Sequence, residues 1–363
     1  MAFAEILGHE RIRGLLARAL EVDRLPHAML FAGPAGVGKK ALAIALGRSL
    51  VCQHPAAGPC GACGPCRRSR RALDGLAAAR EEATEANKKE DDAPRFNFRL
   101  HPDLAVVEQP WKRREDGTLR PQGVLIGQVR EIVAEVRTAP FEASRRLYVL
   151  DDAHTLNEAA SNTLLKSLEE PPPHTHFVLV THAPQALLRT IRSRCQQFRF
   201  GPLSVSLIER HLIEATGVDP ARAHVQAAMA DGSLRNALEF QSGEWEHWRE
   251  TMLGLLEAAA VELPVLQRLE AAESLRDADD DDKALAFRAL RSLLRDVAAA
   301  RQGAGPARLL NTDVADRLRR LGASRLGERA VAIAEAVAEA GNALKGQANA
   351  LLTLDLLLDR VAG

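Results

Sequence analysis

The sequence predicts an α/β phosphate-loop domain over residues 1–202 followed by an all-α region. Three observations lead there. A glycine-rich loop lies between an apolar run and a helical run near residues 28–46. Short apolar runs alternate with helical patterns as far as about residue 202. From Ser204 to Gly363 the pattern is Ala/Leu/Arg-rich and helical, with no convincing strand.

The predicted strands, in order, are Ala28-Met29-Leu30-Phe31, Leu104-Ala105-Val106-Val107, Leu147-Tyr148-Val149-Leu150 and Phe177-Val178-Leu179-Val180. Each is a near-continuous apolar run, as a parallel strand covered by helices on both faces requires. In the segment from Leu156 to Pro172, Leu156, Leu164, Leu165 and Leu168 fall at helical spacing on one face and the terminal prolines stop the helix. Residues 80–92 are charged, and Asp277 to Asp282 contains an acidic run; both are expected to be solvated helix or loop.

At 363 residues the chain is long enough for two or three domains, and its 46% hydrophobic content is ample for packed cores. The 48 Lys and Arg balance 48 Asp and Glu, which excludes a protein that grips nucleic acid through a uniformly basic surface. Any DNA contact must be local or shared with partners. The first residues carry Glu5, Glu10, Arg11 and Arg13 with no apolar core behind a basic start, so a secretory signal is not expected. Nor is a membrane span, and the expected location is cytoplasmic.

Gly33-Pro34-Ala35-Gly36-Val37-Gly38-Lys39-Lys40 follows the first strand and opens the helical run Ala41 to Leu46. Gly33, Gly36 and Gly38 let backbone amides curl around phosphate, the helix N-terminus favours anions, and Lys39 can reach the β and γ oxygens. The motif calls for Ser or Thr after its lysine, because that hydroxyl ligates Mg²⁺; here Lys40 stands there. An ammonium cannot ligate a cation. ATP and Mg²⁺ are therefore candidate cofactors of a site that is degenerate at one position.

A second departure points the same way. The strand ending Leu150-Asp151-Asp152 has the form of a Walker B motif, in which Asp151 helps hold Mg²⁺. Active ATPases of this kind usually follow that aspartate with a glutamate that orients the attacking water. Asp152 is one methylene shorter, so hydrolysis is expected to be slow.

Cys52, Cys60, Cys63 and Cys66 have the spacing C-x₇-C-x₂-C-x₂-C among turn-forming glycines and prolines. Four thiolates close a tetrahedral Zn²⁺ shell with no open position, so a structural zinc is expected. An iron–sulfur cluster would use the same ligands, but the usual run of x₂-spaced cysteines ending in Cys-Pro is absent. Arg67, Arg68, Arg70 and Arg71 follow the last cysteine and form a basic surface, with DNA phosphates as the alternative reading. Cys195, away from the cluster, is expected to be a small buried hydrophobe.

These residues occur in a known order. Leu25-Pro26-His27-Ala28, the phosphate loop, the cysteine cluster, His101-Pro102-Asp103, the Asn157 to Pro172 segment with its Leu164-Leu165-Lys166-Ser167-Leu168-Glu169-Glu170-Pro171-Pro172 ending, and Ser193-Arg194-Cys195 resemble bacterial clamp-loader subunits of the AAA+ family. The resemblance covers residues 1 to about 240; beyond that only position and composition fit. It implies a RecA-like AAA+ domain over 1–202 with a zinc module at about 52–66, a helical lid over 203–242 and an all-α collar over 243–363. It also implies partners: gamma/tau and delta subunits in a hetero-oligomeric ring, and through them the sliding clamp and primed DNA. Arg194 resembles the arginine that reaches into the neighbouring subunit's ATP site, a role suited to a guanidinium, which is always charged and presents a planar fork. Thr181 matches sensor 1 and Arg235, in Gly232-Ser233-Leu234-Arg235, matches sensor 2.

Lys40 and Asp152 favour a stator-like subunit with weak or absent ATPase and no polymerase active site. The nearest rival is the active motor subunit of the same assembly, which carries Ser or Thr and Glu at those positions. An independent P-loop enzyme, such as a nucleotide kinase or helicase, fits neither the cysteine insert nor the Ser193-Arg194-Cys195 placement. A zinc-dependent transcription regulator lacks a helix-turn-helix signal.

Overall fold

The computed structural model describes residues 3–54, 58–87, 95–113, 119–240, 243–260, 278 and 280–345. The chain divides after Leu203 into two compact units. In chain order the first runs α1 (Glu10–Glu21), β1 (Ala28–Ala32), α2 (Lys39–Leu50), α3 (Gly64–Asp74), α4 (Leu76–Ala86), β2 (Asn97–His101) and β3 (Leu104–Val107). It continues with β4 (Trp111–Arg113), β5 (Leu119–Pro121), α5 (Ile126–Val136), β6 (Arg146–Leu150), α6 (Glu158–Glu169), β7 (Thr175–Thr181), α7 (Arg189–Arg194) and β8 (Gln196–Arg199).

Alternation along each strand divides its side chains between two cores. Met29, Phe31, Leu147, Val149, Val178 and Val180 pack with α1 and α2. Ala28, Leu30, Tyr148, Leu150, Phe177 and Leu179 pack with α5, α6 and α7 on the other face. The sheet order is β2-β3-β6-β7-β1-β8, parallel from β3 to β8, with β2 antiparallel at one edge. Helix α2 lies so close to the sheet that a Cβ on Gly47 would stand 2.3 Å from Leu104 Cδ1 and 2.9 Å from Leu147 Cδ2. That contact sets where the phosphate loop, at the start of α2, is held.

The four predicted strands are β1, β3, β6 and β7. Two further sheet strands, β2 and β8, and the antiparallel β4–β5 pair were not predicted. The segment from Leu156 to Pro172 forms α6, capped by the Asn157 side chain, which accepts from the Ala160 amide at 2.8 Å. Its Leu164 and Leu168 are buried, with Leu156 and Leu165 packed beside them. Of the charged segment at 80–92, residues 80–86 belong to α4 and are mostly exposed or half-buried, with Arg80 pairing with Glu108 while staying partly in solvent; residues 88–92 lie outside the described residues. Of the acidic run, Asp277 and Asp279 lie outside them too, while Asp282 accepts from Trp248 Nε1 at 2.9 Å.

The second unit contains α8 (Val205–His211), α9 (Pro220–Met229), α10 (Leu234–Glu239), α11 (Gly243–Ala260), α12 (Asp280–Arg301), α13 (Ala315–Ala323) and α14 (Arg325–Lys345), with no strand among its described residues. Leu293, Leu294 and Val297 of α12 are fully buried. Asp296 beside them is buried as a hydrogen-bonded anchor, accepting from the amides of Leu310 (3.0 Å) and Asn311 (2.7 Å).

The His101-Pro102-Asp103 turn has a structural reason. Asp103 is fully buried and accepts backbone N–H donors from Phe141 (2.7 Å), Glu142 (2.8 Å) and Ala143 (2.8 Å), with Arg146 Nε at 3.4 Å. It thereby ties the β2–β3 turn to the loop entering β6. Burial alone would raise the Asp103 carboxyl, but the three amides and Arg146 more than reverse this and hold it below the usual range. We predict that Asp103→Ala destabilises the first unit by about 3–5 kcal/mol, because a guanidinium and three amides lose their acceptor. The depressed carboxyl contributes its stability above the unfolded-chain value of about pH 4 and loses it as pH falls below that. Urea midpoints of the wild type and Asp103→Asn should therefore lie apart at neutral pH and converge on acidification; a gap independent of pH would contradict this.

Candidate nucleotide and metal sites

Parallel strands deliver their following residues to one edge of the sheet, where ligands of such folds bind. Here that edge carries the phosphate loop after β1, Glu108 after β3, Asp151 and Asp152 after β6, and Thr181 closing β7. Because β7 pairs with both β1 and β6, Thr181 stands between the loop and Asp151. The Gly33 amide donates to the Thr181 carbonyl at 3.2 Å.

The loop has the backbone its glycines allow. Gly36 and Gly38 take positive φ (73° and 99°), and a Cβ at Gly33 would lie 2.2 Å from the Phe200 carbonyl oxygen. His9, before α1, donates from Nε2 to the Val37 carbonyl at 2.8 Å and sets its ring edge-on to Phe200. Lys39 is buried, donating to the carbonyls of Gly33 (2.7 Å) and Pro34. Its ammonium thus lies folded against its own loop.

Lys40 is the unusual group. Its ammonium bridges two carboxylates, Asp151 Oδ2 at 2.7 Å and Glu108, and Arg80 grips Glu108 from the other side with two contacts of 2.5 Å. Burial would raise the Glu108 carboxyl, but Lys40 and Arg80 hold it below its ordinary range. A divalent ion on Asp151 would have to displace an ammonium covalently tied to the same loop.

Thr181 is buried, and its hydroxyl accepts from the Ala183 amide at 3.0 Å. Asp152 adopts a left-handed backbone (φ 44°, ψ 43°) and faces His182, 3.7 Å away, and Gln109. Arg194 lies elsewhere. It closes α7 just before β8, whose first residue, Gln196, is level with Met29 near the start of β1. That is the edge opposite the phosphate loop. There it pairs with Glu169 at 2.5 Å and donates to the Thr190 carbonyl at 3.0 Å. Arg235 belongs to the second unit, exposed in the first turn of α10 behind the capping Ser233. Cys195 is half-buried against the α5–α7 core instead of fully buried, and its burial pushes the thiol up to about 12.

Sequence reasoning missed Glu108, Arg80, His9, His154 and His182. Glu108 was findable: it directly follows a predicted parallel strand, the position from which such folds draw site residues.

The four cysteines of the cluster come together between α2 and the first turn of α3. Their sulfurs lie within 4.8 Å of one another, with Cys52–Cys63 and Cys60–Cys66 both at 3.9 Å. A tetrahedral shell with Zn–S of about 2.3 Å has S···S edges of about 3.8 Å, so the sulfurs fit that ion with small adjustment. Amides support the ligands: Cys52 Sγ accepts from His54 and Cys60, and Cys60 Sγ from Cys63. The Cys63 and Ala62 amides draw the Cys60 thiol down to about 6, whereas burial pushes Cys66 up to about 12. A bound cation would make all four thiolates. Of the arginines after the cluster, Arg67 donates to the Ala62 carbonyl, Arg68 pairs with Glu142 and Arg70 with Asp74. Arg67 and Arg70 thus bond locally, while Arg68 reaches from α3 to the loop before β6.

The family described as "DNA polymerase III, delta subunit" matches residues 8–204. Among curated relatives, the tau subunit of Salmonella typhimurium DNA polymerase III is 34% identical over 65% of this chain and 32% of its own length. The delta' subunit of Bacillus subtilis is 33% identical over 68% of this chain and 64% of its own. The chain thus spans about a third of the length of the tau relatives it matches. Among solved structures, the Thermotoga maritima RuvB Holliday junction branch migration motor aligns over 88% of both chains at 17% identity, with a TM-score of 0.40. With the phosphate loop, the Asp151 strand and the cysteine cluster in the places the family match covers, the chain belongs to the DNA polymerase III delta-subunit family, the clamp-loader subunits of AAA+ type.

Proposed function

We propose that this chain is the delta-prime subunit of the DNA polymerase III clamp loader. It assists ATP-driven loading of the sliding clamp onto primed DNA while its own ATP site is impaired. The observation that carries this reading is the Lys40 bridge to Asp151 and Glu108, which puts a fixed ammonium on the carboxylate a Mg²⁺ would need. Asp152, turned toward His182, is the second support.

In this reading the protein works in the cytoplasm, in a hetero-oligomeric ring with gamma/tau and delta. Residues 1–202 form the AAA+ domain, 203–242 the lid carrying Arg235, and 243–363 the collar that holds the ring together. Arg194 supplies an arginine finger in trans: its place at the edge opposite its own phosphate loop leaves a neighbour's nucleotide as the target. The cysteine module holds a structural zinc. The chain adds no polymerase chemistry of its own to the holoenzyme. The tau relatives favour a second reading, an active gamma/tau-like motor, since they match as strongly as delta' does; Lys40 and Asp152 speak against it.

Three outcomes are expected. Purified protein carries one tightly held zinc per chain by elemental analysis, lost in Cys60→Ser and Cys66→Ser; iron, or no metal in unchelated preparations, would remove the zinc module. The isolated chain hydrolyses little ATP and binds a fluorescent ATP analogue no better with Mg²⁺ than without. Lys40→Thr combined with Asp152→Glu restores measurable turnover, whereas wild-type turnover matching a motor subunit's would overturn the assignment.

The third outcome concerns the assembled loader. Arg194→Ala should slow hydrolysis at the site it serves by about 10³-fold, the lower end for an arginine finger. Glu169→Gln breaks the same ion pair but keeps the guanidinium, so it should spare activity. Unaltered ATPase and clamp-loading rates in a correctly assembled Arg194→Ala complex would sink the finger.

A further inference from the structure

We propose that Asp152, His154 and His182 form a second metal site, one for a divalent transition-metal ion, distinct from the four cysteines and from the Lys40 bridge. One ligand atom from each of the three lies within 4.8 Å of the others. His182 Nδ1 stands 3.7 Å from Asp152 Oδ1, and the two imidazole rings meet edge to face at 4.1 Å between centroids. The 3.7 Å separation is too long for a hydrogen bond and close to the edge of about 3.4 Å between N and O ligands held about 2.1 Å from a tetrahedral zinc.

Independent support comes from His154, whose Nδ1 is buried with no hydrogen-bond partner among the described residues. A buried ring nitrogen left in that state is costly and calls for a hydrogen-bond partner or, unprotonated, a metal. The backbone is also committed. Asp152 holds a left-handed conformation ahead of the short helical turn at Ala153–Thr155, which places residues 152 and 154 on the same side as His182, the residue after β7.

Two imidazoles and one carboxylate leave coordination positions open, as in sites that keep exchangeable ligands. The donor set selects Zn²⁺, Co²⁺ or Ni²⁺ over Mg²⁺, which prefers an all-oxygen shell. Gln109 Nε2, 3.5 Å from Asp152 Oδ2, can orient the carboxylate from outside the shell. Lys40 helps hold the Asp152 carboxyl low, but its ammonium pairs with Asp151 and Glu108, and Lys39 donates to loop carbonyls. The site shares Asp152 with the proposed nucleotide edge, but its geometry rests on protein side chains alone.

The test is equilibrium dialysis of tag-free, full-length protein, with its cysteine-held zinc in place, against increasing Zn²⁺ in excess Mg²⁺. One further saturable equivalent is expected, insensitive to Mg²⁺. His182→Ala, at a half-exposed position, and Asp152→Asn should each weaken it at least ~10-fold, the scale on which loss of a supporting outer-shell group already acts. The cysteine-held zinc and the melting curve should stay as in wild type. No saturable second equivalent, one displaced by Mg²⁺, or one that survives unchanged in both variants would overturn the site.

Discussion

Burial of the parallel sheet on both faces is the constraint from which the rest of the first unit follows. Met29 and Phe31 must go one way while Ala28, Leu30 and Ala32 go the other, so β1 can only sit inside a sheet with helices on both sides. Once β3, β6, β7, β1 and β8 run parallel, their outgoing loops share one edge and their incoming turns the other. Glu108, Asp151, Thr181 and the phosphate loop converge for that reason, though residues 33 to 181 separate them in sequence. The same constraint sends Arg194, which precedes β8, to the far edge.

Charge then decides what the converged edge can do. Asp151 and Glu108 approach closely enough to share one ammonium, and carboxylates that close require a cation. In a working phosphate-loop enzyme part of that role falls to exchangeable Mg²⁺; here it falls to Lys40, which cannot leave. Arg80 from α4 adds a second fixed cation, so the site is close to neutral without any ligand. A fixed cation stabilises one conformation and lessens the differential charge that a bound metal would supply, which is the physical basis of the impaired site proposed above.

Much of this was legible in the residues because burial writes itself into apolar runs. The four central strands, α6 and the change to a helical pattern after about residue 202 were all readable. β8 was not, because Gln196-Gln197-Phe198-Arg199 is an edge strand that buries one side chain and exposes the rest. β2 was hidden by Asn97, Arg99 and His101, polar residues paired within the protein: Asn97 with Gln128 and Glu131, Arg99 with Glu135. At the site, the motif residues and the departure at Lys40 were read from spacing alone. Its partner Glu108 was signalled only by following a predicted strand, and the His154–His182 pair by nothing local, because its members follow different strands.

The cysteine module answers a different physical problem from the sheet. Residues 52–66 are rich in glycine and proline, and among their described members only Cys52, Cys63 and Cys66 form a buried cluster of their own. A segment that short cannot order itself by apolar burial against the conformational entropy of its glycines. Sulfur ligation of a shared ion, as proposed above, would do so, because each ligand would fix its own turn and the closed shell would tie α2 to α3. Arg68, reaching from α3 to Glu142 and His101, then couples the module to the turn that Asp103 holds together. Cysteine cluster, turn and sheet edge thus form one connected chain of contacts, so losing the cysteines should loosen the Glu142 loop before it disturbs the phosphate loop, which is anchored separately through His9 and Phe200.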